Sequence, residues 1–394
     1  MSNLKTLYGY PWFRSEVYGN VKDRNLEYFD KLNEAGFSVE GFCLTLNPPG
    51  PCLTFKELDR KWRWGDRQLL QMYEELERAL EGKDVLINGP GINLHPEFVQ
   101  KLRVFTVFQC FEDPENSENL SKPVASAYDL CLVGNIAEVD TYRSWGVKHA
   151  EWVPMGLKPD IYDPLLTYED ILKGERDIDI FMMLDRSAPW RKDRVDKLAN
   201  AFPNAHFYGR GWPRGYLPRE KEREYLRRAK VGPNIHNSTG PINYRTYYLP
   251  ANGVMQICDN KQHLGKIFEL GKEAVGFDSI EECEDLCKYY VAHDEERRII
   301  AANGWKRALT DYTELAVFSR NINIFKKLLA NNTTDKDGSY VRIALQQLES
   351  TTARRLLHSF ISSVSKVVKR MIPSEAVRSV ASFLLLRKKG RTDA

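Results

Sequence analysis

The sequence predicts an α/β protein of two parallel-sheet halves facing each other across a cleft, followed by a basic amphipathic helical tail. Three observations predict it. Short apolar runs of strand character alternate with helical patterns in two separate series. Between the series, Pro154, Pro159 and Pro164 interrupt the chain, and a polar connector runs from Thr167 to Arg176. The stretch from Thr351 to Ala394 holds ten Lys or Arg against two acidic residues, although the chain as a whole carries a net charge of only +3.

The first series opens with a strand at Leu4 to Tyr8 and a loop holding Gly9, Pro11 and Gly19. A helix over about Asp23 to Ala35 follows, with Leu26, Phe29 and Leu32 at helical spacing and Gly36 as its stop. Phe37 to Leu44 alternates as a second strand, and Asp66 to Leu80 reads as an amphipathic helix. Val85 to Ile87, Val104 to Phe108, Leu130 to Val133 and Glu151 to Val153 continue the strands. The second series begins at Ile178 to Met183, with a helix from Arg191 to Asn200 and a strand at Ala205 to Tyr208. Val254 to Cys258 and Ala274 to Phe277 are its later strands, and Glu281 to Ala292 and Asp294 to Leu309 its closing helices. Strands separated by helices imply parallel sheets covered on both faces. The expected domains are residues 1–165, 176–320 and a tail over 321–394.

At 394 residues the chain is too long for one ordinary core, and 42% apolar with 28% charged residues is a globular composition. Without the tail the body is net acidic, which argues against a nucleic-acid partner. The N-terminus has no basic segment leading into an apolar run, no run reaches the length of a membrane span, and the seven cysteines are scattered. A cytoplasmic location is therefore expected. Cys283 and Cys287, four apart, share a helix face rather than forming half of a metal site, because no second pair accompanies them.

Ligands of open α/β sheets collect beyond the carboxyl ends of the strands, and a diphosphate needs fixed guanidinium groups there. Asp185 to Lys192 follows the first strand of the second half and opens a helix, which places Arg186, Arg191 and Lys192 to meet phosphate. His236, after another strand-like run, either touches phosphate or sugar or is structural.

Asn243-Tyr244-Arg245 with Gly253, Tyr208-Gly209-Arg210-Gly211-Trp212, and Glu112-Asp113-Pro114 with Tyr128-Asp129 together resemble the CgeB-like, or spore-maturation-type, group of GT-B glycosyltransferases. The resemblance covers about Leu4 to Arg320. It implies two Rossmann-like domains, an N-terminal acceptor domain and a C-terminal donor domain. It also implies transfer of a sugar from a nucleotide-diphosphate donor, without a metal or other cofactor and with UDP or GDP as the expected nucleotide. On this reading Asn243, Tyr244 and Arg245 contact the donor, Gly209 lets the backbone approach a flat base, and Trp212 is either core or stacking partner. Asp113 is the first choice for the base that deprotonates an acceptor hydroxyl, with Glu112 and His95 as further candidates. The sequence departs from the group at Tyr248, where an acidic residue is usual. Glu269 or Glu273 would then supply the carboxylate that holds ribose or sugar hydroxyls.

Asp177-Ile178-Asp179 spells the metal-holding Asp-x-Asp of GT-A enzymes but precedes its apolar run instead of following it. A GT-B-shaped protein that only binds nucleotide sugar or glycan, and a sugar-nucleotide epimerase or hydrolase, stay open as other readings. In the tail, Leu356, Leu357, Phe360, Ile361, Val364, Val367, Val368 and Met371 share one helical face, with Pro373 as a break and a second apolar set from Val377 to Leu385. Such a basic pair over 353–391 suits an anionic membrane surface, which would put the protein on the inner face of the cell membrane. Otherwise it packs on the body or on a second copy. The partners expected are a nucleotide-sugar donor, a glycan, lipid-linked or protein acceptor, this membrane surface, and another copy in a homo-oligomer.

Overall fold

A computed structural model describes residues 3–331, apart from 16–18, 90, 187–188 and 238, and beyond them Leu356 and Phe360 alone. Apart from those two residues, the tail expected over 353–391 lies outside the described residues. Among the described residues no helix is long and apolar enough to cross a membrane.

The first half is built on β1 (Lys5–Tyr10), a small hairpin of β2 (Arg14–Ser15) and β3 (Gly19–Asn20), β4 (Ser38–Cys43), β5 (Val85–Asn88), β6 (Phe105–Cys110), β7 (Leu130–Val133) and β8 (Ala150–Trp152). Apart from the hairpin, these strands form one all-parallel sheet in the order β4-β1-β5-β6-β7-β8. β5, β6 and β7 are buried along their whole length, as strands covered by helices on both faces must be. The second half holds β9 (Ile178–Met183), β10 (His206–Tyr208), β11 (Ala229–Asn234), β12 (Met255–Cys258) and β13 (Val275–Gly276), again all parallel, in the order β10-β9-β11-β12-β13. The chain runs from β9 to β10 on one side, then returns to place β11 on the other. That reversal opens a crevice beyond the carboxyl ends of β9 and β11.

Several helices went unread in the sequence. Phe55–Trp64 begins at a Thr54–Glu57 capping box, ends at a left-handed Gly65, and buries Leu58 and Trp62. Arg219–Arg228 leads into β11 and buries Leu226.

The helix Glu314–Asn331 crosses back to the first half. Val317, Phe318, Ile322 and Phe325 sit in the same core as Phe29, Leu32, Val85, Phe105 and Leu130. The expected boundary at residue 320 therefore falls inside a helix, and the first half is discontinuous in sequence.

The outgoing and returning chains meet side by side. Leu157 N–H donates to the Tyr312 carbonyl at 2.7 Å, and Glu314 N–H donates to the Leu157 carbonyl at 3.1 Å. Beside this crossing the Glu314 carboxyl, 13% exposed, faces Lys158 Nζ at 4.0 Å. Burial pushes the carboxyl up to about 7, against the pull of Lys158, Lys31 and Arg24. The folded chain therefore holds a proton that the unfolded chain releases near 4.5. The stability is full below that value and falls as pH rises through about 7. A carboxyl displaced this far destabilises the fold by roughly 3 kcal/mol above pH 7, at 1.36 kcal/mol per pH unit. Denaturant titrations at pH 5 and pH 8 should thus show a loss in the native chain that Glu314→Gln largely removes. An equal pH dependence in both proteins would contradict the assignment.

Candidate active site

A cavity of about 570 Å³ occupies the crevice at β9 and β11. Its floor is Met183 to Asp185 at the end of β9, with His236 and Asn237 beyond β11. Arg245 opens the helix Arg245–Ala251 and is held from three sides. Its Nε donates to Asn234 Oδ1 at 3.0 Å, Nη1 to the Met183 carbonyl at 3.2 Å and Nη2 to the Ile235 carbonyl at 3.4 Å. Asn234 is itself locked: its amide donates to Thr246 Oγ1 and Gln256 Oε1, and its oxygen also accepts from Asn243 Nδ2. Asn243 in turn accepts from the Thr246 N–H at the helix start. Arg191, 6% exposed, donates from Nε and Nη2 to the Asp185 carbonyl at 3.2 and 2.8 Å.

Neither guanidinium has a carboxylate partner among the described residues. Burial lowers the pKa of both: Arg191 falls to about 10 through desolvation and the like charge of Arg245, and Arg245 falls through desolvation. Two fixed, neighbouring guanidiniums with no carboxylate bonded to either, although Asp185 and Asp259 lie near, form a site for an anion, because an anion relieves their desolvation.

His236 forms a wall of this cavity and is fully committed. Its Nδ1 faces Asp259 Oδ1 at 2.6 Å and its Nε2 faces Thr246 Oγ1 at 3.1 Å, while its N–H donates to Asp259 Oδ2. Burial lowers the imidazole pKa, and the neutral ring donates from Nδ1 to Asp259 and accepts the Thr246 hydroxyl at Nε2. Burial raises Asp259, but the bonds from His236 outweigh it and keep the carboxylate ionised. His236, Cys258 and Asp259 bring ligand-type atoms within 4.8 Å of one another. The set does not suit a cation: Arg194 lies 3.3 Å from Asp259, Arg191 and Arg245 bear on the same histidine, and both ring nitrogens are engaged.

Comparison with known proteins bears on both sheets. Residues 190–316 match the model of a family described as glycosyl transferase-like. A glycosyltransferase from Rickettsia africae superposes with a TM-score of 0.57 at 12% identity, covering 84% of this chain and all of that one. Sucrose-phosphate synthase from Thermosynechococcus elongatus gives 0.55 at 13% identity, with the same coverage. The Anabaena protein HepE, solved with UDP-glucose, gives 0.52 at 13% identity and again 84% and 100%. No protein of curated function matches the sequence. The fold is GT-B. The chain thus carries this fold over the 84% of its length that the solved structures cover, and a glycosyl transferase-like signature over most of its second half.

In this GT-B frame the remaining candidates separate. Gly209 is required where it stands: its φ is +129°, and a Cβ there would lie 2.4 Å from the Leu184 carbonyl oxygen. It lets the loop after β10 close on the end of β9. Trp212 is core, with its Nε1–H donating to Leu184 O at 2.8 Å. Arg186 is turned out of the cavity: it stacks over the Trp212 ring at 5.2 Å and pairs with Asp196 at 2.5 Å. Tyr244 lines the cavity. Glu269 and Glu273 do not: Glu269 pairs with Lys272, and Glu273 accepts the Glu269 N–H in a turn near Gly304.

On the first-half side, Asp113 is 2% exposed and accepts hydroxyls from Tyr142 and from Ser117 at 3.1 Å. Glu112 is exposed and lies outside the cavity lining, three residues before the lining Glu115, and desolvation, Glu115 and Asp113 together hold its carboxyl above the usual range. His95 caps the helix Pro96–Val99 between the rings of Trp62 and Phe55, bonded to Asp59, and does not line the cavity. The loop after β11 touches the first half directly, where Thr239 Oγ1 donates to Glu138 Oε1 at 2.8 Å. Gly240 meets Asn135 there with no room for a side chain.

Tyr208 and the buried Tyr248 also line the cavity, and three residues unmarked in the sequence complete it: Glu115 from the first half, the 65% exposed Tyr216 at the rim, and Glu222. Only their three-dimensional placement identifies them, because no loop or strand-end signal surrounds Glu222 within its charge-rich helix.

Proposed function

We propose that this chain is a nucleotide-sugar glycosyltransferase that holds its donor diphosphate at Arg191 and Arg245 and receives an acceptor hydroxyl from the first half. The observation that carries the reading is the pair of fixed guanidiniums without carboxylate partners at the switch point of the second sheet. In the transfer, the bond between the anomeric carbon and the diphosphate oxygen breaks and the leaving diphosphate gains negative charge. Preorganised cations at that oxygen supply the largest catalytic term. The acceptor oxygen forms the new bond to the anomeric carbon and gives its proton to a base. Glu112 suits that role better than Asp113, since it is open to solvent and its raised pKa favours proton uptake. Asp113 is buried and already engaged by two hydroxyls.

UDP is the first nucleotide to test, because HepE, of the same fold, was solved with UDP-glucose. GDP is the second. Within GT-B, Arg245, Gly253 and the Tyr208 to Trp212 loop support a place beside the CgeB-like group. We further propose a cytoplasmic protein whose tail meets an anionic membrane surface or another copy, with a lipid-linked, glycan or protein acceptor.

Thermal shift against UDP, GDP, CDP and dTDP tests the donor site. One nucleotide should raise the midpoint by a few degrees, and the corresponding labelled nucleotide sugar should transfer its label. Glu112→Gln should then slow transfer roughly 10²-fold or more without weakening nucleotide binding. If no nucleotide shifts the midpoint, the donor-site reading fails. Binding without turnover would favour a protein that only holds nucleotide sugar.

A further inference from the structure

The loop that carries His236 past the end of β11 goes on to touch the first half, and the contact centres on one side chain. Asn135, 1% exposed, stands two residues beyond β7. Its amide has two hydrogens to give. One goes to the Asp113 carbonyl at 3.2 Å, in the loop after β6. The other reaches Thr239 Oγ1 of the second half at 3.5 Å. Thr239 donates its own hydrogen to the buried Glu138 carboxylate, so its hydroxyl accepts from one first-half residue and donates to another. Asn135 Oδ1 meanwhile accepts the Ala137 N–H and fixes the short turn that presents Glu138.

Both ends of this junction lead to the cavity. On the second-half side, His236 and Asn237 line it just before Thr239, and Ile242 to Arg245 line it just after. On the first-half side, Glu112 immediately precedes Asp113, and Glu115 lines the cavity two residues beyond. The Asp113 carboxylate is tied as well, to Ser117 and to Tyr142 of the helix Val139–Ser144. The seam is close-packed: any Cβ at Gly240 would overlap Asn135 Oδ1. A rigid link between loops on opposite walls fixes the separation of groups on those walls, and transfer between two bound molecules depends on that separation.

We propose that Asn135 and Thr239 are positioning residues that lock the Glu112 to Glu115 loop of the first half to the His236 to Arg245 loop of the second. They set the acceptor wall in register with the diphosphate. Neither lines the cavity, so they act through the loops they join. The inference rests on the donor-site reading above and adds the part that couples the two walls. Nucleotide bound at Arg191 and Arg245 is thereby felt in the first half.

Amide hydrogen exchange with and without UDP or GDP, together with transfer kinetics, tests it on the native chain, Thr239→Val and Thr239→Ser. Thr239 is exposed, so its variants spare the core. The helix Val139–Ser144 does not line the cavity, so any slowing of its amides by nucleotide arrives through packing and not through contact with the ligand. The native chain should show that slowing. Thr239→Val should lose it and lower kcat roughly tenfold or more, with nucleotide affinity within about twofold, since a displaced wall costs turnover and not donor binding. Thr239→Ser keeps the hydroxyl and should restore both. Asn135→Ala, combined with Thr239→Val, should add little to the single change, because the two side chains share one contact. If Asn135→Ala does not fold, the Thr239 pair decides. Either quantity unchanged in Thr239→Val overturns the proposal, as does equal loss in the Val and Ser variants. A native chain that binds nucleotide without slowing this helix overturns it too, and in each of these cases the donor site stands. If nucleotide binds without turnover, the exchange result alone decides. If no nucleotide binds, the donor-site reading and this proposal fall together.

Discussion

Arg245→Ala is expected to abolish nucleotide-induced stabilisation and to lower the transfer rate by roughly 10²- to 10³-fold, the scale seen when one preorganised charge donor is removed from a developing oxyanion. The argument is local. Arg245 reaches the crevice as a fork held by Asn234, Met183 O and Ile235 O, so its direction does not depend on the ligand. Removing it leaves those acceptors short of a donor, at about 1–3 kcal/mol, but also ends its repulsion with Arg191. The folding midpoint should therefore move little while binding is lost. Arg245→Lys keeps charge without the fork and should recover only part of the affinity. Arg186→Ala is the matched control, since that guanidinium is spent on Trp212 and Asp196. Nucleotide affinity near the native value in Arg245→Ala would remove the donor site from this crevice.

Phe318→Ala is expected to cost roughly 3–5 kcal/mol, the usual penalty for emptying a buried aromatic site. Phe318 is 1% exposed and packs edge-on against Phe37 at 5.0 Å and Tyr28 at 6.4 Å. Its neighbours belong to the first half's core, so the loss should fall on the first half. Chemical denaturation followed with and without nucleotide separates the two halves: the earlier transition should move to lower denaturant, and the ligand-sensitive one should stay. A change below about 1 kcal/mol, the scale of an ordinary surface substitution, would mean that this helix is peripheral.

The strands were legible because each is a short apolar run between polar turns, and β5 and β7 are the clearest, being buried throughout. The helix at Phe55–Trp64 was equally readable, since Thr54, Glu57 and Gly65 spell both of its ends, but its few apolar residues hid it. The boundary at 320 followed the extent of the resemblance, whereas the apolar spacing of Phe318, Ile322 and Phe325 runs straight through it. In the site, position after a strand end singled out Arg191, and the resemblance of Asn243-Tyr244-Arg245 singled out Arg245. Arg186, in the same loop, turned outward because Trp212 and Asp196 offered it partners. Glu222 and Glu115 had no sequence signal, as they reach the cavity only through the packing of other elements. Asp113 ended in a buried hydroxyl cluster, an arrangement that depends on Tyr142, 29 residues away.

The crossing at Leu157, Tyr312 and Glu314 has a consequence for how the chain is made. The second half is an insert within the first, and its two ends are hydrogen-bonded neighbours. A chain synthesised from its N-terminus therefore completes the whole insert before Phe318 and Phe325 exist to fill the first half's core. The second sheet and its crevice can be complete while the host is still an open sheet, and the host closes last, around a guest already folded.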